Sequence, residues 1–95
     1  MPEMHFRVCW PDQSESLCYS PSLVIKDFLV LGQSYPLHEF VNLSREALEI
    51  ASERVRQKYG YTCSSAMSQL SEIEATATQF WDRKNPQVFI KEFIE

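Results

Sequence analysis

A chain of 95 residues with 44% hydrophobic and 23% charged side chains has room for one core and not for two, so a single domain over residues 1–95 is expected. Its formal charge of −4 lacks the basic footprint of a nucleic-acid binder, and no apolar run approaches the about 20 residues of a membrane span. Three cysteines without a close CxxC indicate neither a disulfide framework nor a zinc ribbon, and the two glycines stand too far apart for a phosphate loop. The start, Met1-Pro2-Glu3-Met4-His5, has neither the basic nor the apolar region of a signal peptide, so a cytoplasmic location is expected.

Met4, Phe6, Val8 and Trp10 alternate with His5, Arg7 and Cys9, the period of a half-buried strand. Pro11-Asp12-Gln13-Ser14 makes a turn, and a second strand follows over 15–20. Pairing Trp10 with Glu15, Val8 with Leu17 and Phe6 with Tyr19 gathers the apolar residues on one face. His5, Arg7, Cys9 and Cys18 then share the other. Ser20-Pro21 reads as a helix start and Gly32 as its stop, with Leu23, Val24, Phe28 and Leu31 on one stripe. A β reading of 22–31 competes with this, and the helix is preferred.

Leu37 to Leu43 predicts a helical turn or two, interrupted near Asn42 or Ser44. Ser44 would cap a longer helix that runs to Tyr59 and ends at Gly60, with Ala47, Leu48, Ala51, Val55 and Tyr59 inside. Ala66, Leu70, Ile73, Ala77 and Phe80 mark a further helix, capped by Thr62 or Ser64. Asp82 to Pro86 is a polar turn, and Gln87 to Ile94 a strand with apolar residues on both faces. The order ββαααβ predicts an α+β domain, a small antiparallel sheet covered on one face by about three helices. Trp10, Phe6, Tyr19, Phe28, Phe80 and Trp81 are expected in its core.

Chemistry-bearing groups are sparse. On the sheet face opposite the core, Arg7 and His5 beside Cys9 and Cys18 could lower a thiol pKa, although two small buried thiols explain the same pattern. A metal set of His5, Cys9 and Cys18 with His38 or Cys63 meets a geometric obstacle. Positions i and i+4 of a strand lie roughly 13 Å apart, so no metal or cofactor is expected. Arg54, Arg56 and Lys58 are interleaved with Glu46, Glu49 and Glu53, the pattern of a solvated helix face. Glu72 and Glu74 point in different directions and make a poor acid–base pair.

The segments MPEMHFRVCWPD, CYSPSLVIKDFL and especially ASERVRQKYGYTCSSAMSQLSEIEATA resemble a small bacterial family associated with the nitrogen-starvation response, over Met1 to about Ala77. The resemblance implies a gene neighbourhood with a nitrilase-type hydrolase, a radical-SAM protein, an acetyltransferase-like protein and a flavoprotein. It carries over no catalytic residue. Its recurring residues here are Ser52, Glu53, Arg54, Arg56, Lys58, Tyr59, Gly60 and Cys63. Two functions are compatible with these observations. One is a non-catalytic accessory protein, a homodimer through its sheet, that partners an enzyme of the nitrilase-associated cluster and binds neither nucleic acid nor membrane. The other is a small enzyme or ligand-binding module with an anion-accepting pocket near Arg54, Arg56, Tyr59 and Cys63, or near His5, Arg7, Cys9 and Cys18.

Overall fold

In the computed structural model, which describes residues 3–60 and 64–95, the chain runs β1 (Met4–Cys9), β2 (Glu15–Ser20), α1 (Ile25–Phe28), β3 (Ser34–Pro36), α2 (Leu37–Tyr59), α3 (Ser64–Ala77) and β4 (Gln87–Ile94). The strands form one antiparallel sheet in the order β2-β1-β4-β3. The α+β class is as expected, with one strand more than the sequence suggested. β3 is a three-residue edge strand ending in Pro36, a position where the missing amide does no harm to the ladder. Gly32, with φ +83, is therefore not a helix stop. It turns the chain into β3, and its N–H donates to Ile90 O at 2.9 Å.

Hydrophobic burial explains the helical layer. Leu37, Phe40, Val41, Ala47, Leu48, Ala51 and Val55 line the inner side of α2, and Ala66, Leu70, Ile73 and Ala77 that of α3. The expected break near Asn42 and Ser44 does not occur. The apolar spacing runs straight through it, so Ser44 sits fully buried within one 23-residue helix, its hydroxyl without a hydrogen-bond partner among the described residues. Gly60 ends α2 in the left-handed region (φ +82), its N–H donating to Arg56 O, as the sequence predicted. The helix expected from Ser20 to Leu31 shrinks to the single turn α1, because Ser20 is the last residue of β2 and its hydroxyl donates to Ser22 O at 2.7 Å. Thr62, named as a possible cap of α3, lies outside the described residues. Trp10 packs between Phe40 and Phe80. Trp81, expected inside, is 47% exposed because it falls one residue beyond the last buried position of its stripe.

The hairpin register differs by one residue from the expected one. Cys9 pairs with Glu15, Arg7 with Leu17, Phe6 with Cys18 and His5 with Tyr19. The turn is the cause: Gln13 N donates to Trp10 O, Trp10 N donates to Ser14 O, and Gln13 adopts φ +74. This is a three-residue loop whose left-handed residue forms a bulge, so Trp10 and Ser14 close it together. One slip reverses every residue of β2. Cys18 and Ser20 face the helices and are buried, Ser16 half so, while Leu17 faces outward. Trp10 Nε1 donates to Ser16 Oγ at 2.8 Å, satisfying the buried indole. Small inner residues on β2 let α3 approach closely, and Gln69 on α3 caps the strand edge by accepting the Tyr19 N–H at 3.0 Å.

β4 carries a second irregularity. Val8 pairs with Ile90 and Arg7 with Glu92, leaving Lys91 as an extra residue in a bulge. The bulge resets the alternation: Val88, Ile90 and Phe93 turn inward, while Phe89, Lys91, Glu92 and Ile94 turn out. Among the described residues no helix is long and apolar enough to cross a membrane.

Candidate functional site

With all helices on one side, the other side of the sheet is left uncovered. Its cross-strand rows follow from the register: Glu15, Cys9, Phe89 and Ser34; then Leu17, Arg7 and Glu92; then Tyr19, His5 and Ile94. An antiparallel sheet facing water normally shows polar side chains there. This one shows Leu17 at 48%, Phe89 at 39% and Ile94 at 40% exposure. His5 and Tyr19 meet edge to face with ring centroids 5.6 Å apart, and the Tyr19 hydroxyl donates to Glu3 at 3.1 Å.

A charged strip crosses the middle of this face. Arg7 Nε donates to Glu92 Oε1 at 3.1 Å, its Nη1 lies 3.9 Å from Glu15 Oε1, and Lys91 donates to the second oxygen of Glu15. The Lys91 hydrogen bond, with lesser help from the charges of Lys91 and Arg7, holds the Glu15 carboxyl below its usual range. The same bond raises Lys91. The β4 bulge makes this network possible, since it presents Lys91 and Glu92 on one side of the strand.

The residues singled out from sequence separate in space. His5, Arg7 and Cys9 lie on the uncovered face, but Cys18 is on the opposite, buried one, a correction that follows directly from the hairpin register. Burial, and to a lesser degree the neighbouring Glu72, pushes the Cys18 thiol up to about 12, away from thiolate chemistry. Arg54 Nη1 donates to Ser22 Oγ at 3.0 Å, tying α2 to the segment after β2. Arg56 is bidentate to Glu53 within its own helix. Tyr59 is half-exposed, with the Lys58 ammonium 5.6 Å from its ring centroid. Cys63 lies outside the described residues. Among the described residues no three His, Cys, Asp or Glu side chains converge as a metal set.

Beside the Cys9–Phe89 end of the uncovered face lies a cleft of about 460 Å³, where the β1–β2 turn meets the loop between α3 and β4. Cys9, Gln13 and Phe89 line one part of it, and Arg83, Lys84 and Asn85 another. Gln13 (φ +74) and Asn85 (φ +53) are the non-glycine residues with positive φ among those described, and both border this cleft. Sequence reasoning passed over Arg83, Lys84 and Asn85 as a polar turn. The available signal was a basic pair held between Asp82 and Asn85-Pro86 in a chain of net negative charge. It also missed Leu17, because the turn conformation that exposes it depends on a glutamine where Gly or Asn is usual.

No curated protein and no solved structure matches the chain. The family described as nitrogen starvation-induced protein NitG matches residues 5–93, a span that includes all four strands of the sheet almost entirely. The chain belongs to this nitrogen starvation-induced family.

Proposed function

We propose that this protein is a cytoplasmic, non-catalytic accessory of the nitrogen-starvation response that acts by docking. It self-associates through the uncovered sheet face and, as a dimer, serves enzymes of a nitrilase-linked nitrogen-scavenging pathway. The observation that carries this reading is the composition of that face: Leu17, Phe89 and Ile94 exposed around a strip of two basic and two acidic side chains. Apolar surface of this kind, rimmed by polar groups, is characteristic of interaction sites. A two-fold contact requires one patch to complement itself. A neutral strip does so, because Arg7 and Lys91 of one copy can meet Glu92 and Glu15 of the other. The charged groups add support for a non-catalytic role: Arg7, Glu15, Lys91 and Glu92 pair with one another, and Cys18 is held neutral.

Sedimentation equilibrium over a wide concentration range tests the reading, with the wild-type chain beside Leu17→Lys and Phe89→Lys. A dimer that both substitutions convert to a folded monomer is expected. A wild-type chain that stays monomeric at the highest concentration refutes self-association. Affinity capture from nitrogen-starved cells with wild-type and Leu17→Lys baits tests the second step: a pathway enzyme should co-purify stoichiometrically with the former only.

A further inference from the structure

We propose that the cleft between the β1–β2 turn and the α3–β4 loop is a binding site for a small organic carboxylate with a flat apolar body. Its volume, about 460 Å³, falls in the range of small-molecule sites, which combine apolar walls with a few convergent polar groups. Arg83 and Lys84 supply two positive charges to the lining, and no acidic side chain among the described residues lines it. Asp12 stands close enough to Arg83 to feel its charge, but the Asp12 carboxylate is already engaged by the amide and hydroxyl of Ser14. Among the described residues neither Arg83 nor Lys84 forms an ion pair. Arg83 instead lies over the Phe80 ring, its guanidinium carbon 5.3 Å from the centroid. That contact holds the guanidinium in place without neutralising it.

Phe89, 39% exposed, and the rings of Pro11 and Pro86 give the cleft its apolar part. The side-chain amides of Gln13 and Asn85 add neutral polar groups on opposing loops. The two cations suit an anionic group, and the flat apolar walls beside them favour a carboxylate carried on a planar body over a bare phosphate, which would leave those walls uncovered. The backbone is consistent with a built site. Gln13 holds a left-handed conformation at a cost that Asn85 largely escapes, and such costs gather where a ligand is clamped.

Three probes of one shape and different charge test the proposal on the full-length chain: benzoate, benzamide and benzamidine, each titrated by ¹H–¹⁵N correlation spectra. Benzoate should shift the amides of Gln13, Ser34, Arg83, Lys84, Asn85 and Phe89 saturably, at least about tenfold more tightly than benzamide, with benzamidine weaker still. The Arg83→Gln/Lys84→Gln double variant should bring benzoate down to the level of benzamide while its spectrum stays dispersed. Benzamidine binding as tightly as benzoate, shifts that map elsewhere, an unchanged double variant, or no saturable shift with any probe would each overturn it. Competition by inorganic phosphate at equal strength would overturn the requirement for a flat body. Arg83 and Lys84 lie off the sheet, whereas Phe89 is shared by the docking face and the cleft; sedimentation of the Arg83→Gln/Lys84→Gln variant therefore separates loss of this site from loss of the dimer.

Discussion

Reaction of Cys18 with a thiol reagent reads the hairpin register directly. A chain carrying Cys9→Ser and Cys63→Ser retains Cys18 alone, which the observed register buries at 1% exposure opposite Phe6. The alternative register would place it beside Arg7 on the uncovered face. With its pKa pushed from 9.0 to about 12 by burial, about one thiol in 10,000 is ionised at pH 8, against roughly one in ten for an ordinary thiol. Native Cys18 should therefore react with Ellman's reagent about a thousandfold more slowly than the same thiol in the urea-unfolded chain, before steric exclusion is added. The absorbance time course at 412 nm in the presence and absence of urea measures the ratio. A native rate within tenfold of the unfolded one would refute both the register and the face built on it.

The same shift has a thermodynamic signature. A thiol whose folded pKa is raised stays protonated in the fold while the unfolded chain ionises, so its contribution is intact below pH 9 and is lost as pH rises toward 12. The stability difference between wild type and Cys18→Ala should narrow by about 1.4 kcal/mol per pH unit in that window, measured by urea unfolding.

Two further substitutions test the local physics. Ser44→Ala removes a buried hydroxyl without a partner and improves helix propensity. It should stabilise the fold by about 1–2 kcal/mol, a rise in Tm of several degrees by calorimetry, and a loss of stability would mean that the hydroxyl is bonded. Gln13→Gly relieves a left-handed residue at φ +74 and should stabilise the hairpin by about 1 kcal/mol. A destabilised variant would show that the turn is not the three-residue bulged loop.

Long stripes were legible in the sequence, because hydrophobic spacing over four or more turns leaves one solution. The inner face of α2 from Ala47 to Val55, that of α3, the Gly60 stop and the extent of β4 follow from it, whereas Tyr59, expected on the inner stripe, is half-exposed at the end of the helix. What escaped depends on single residues that serve something other than the expected local role. Ser20 looks like a cap but hydrogen-bonds Ser22 at the end of a strand. Ser44 looks like a cap but replaces a small apolar residue on an unbroken buried stripe. β3 was hidden because three residues ending in proline carry no periodicity, and its pairing with β4 bridges more than fifty positions of sequence. The apolar residues on both sides of β4 are visible in the sequence, and the bulge at Lys91 together with the uncovered face accounts for them.

The departures from regular geometry are not scattered. Gln13 sets which side of β2 faces out, the Lys91 bulge sets which residues of β4 join it, and Asn85 shapes the loop opposite Gln13 across the cleft. All three border the uncovered face or its adjoining cleft, whereas α2 and α3 keep regular helical form, with the buried hydroxyl of Ser44 as the polar exception. Natural sequences that satisfy local rules through the core and break them together at one surface do so where function constrains the chain. A hairpin with Gly at position 13 and an unbulged β4 would satisfy local propensity better. The unbulged strand would turn Glu92 and Ile94 inward and Phe93 outward, exchanging a charged neighbour of Arg7 for a buried carboxylate with no counter-charge. The irregularities cost local stability and preserve the ion-paired, apolar-cornered face, which is the feature they have in common.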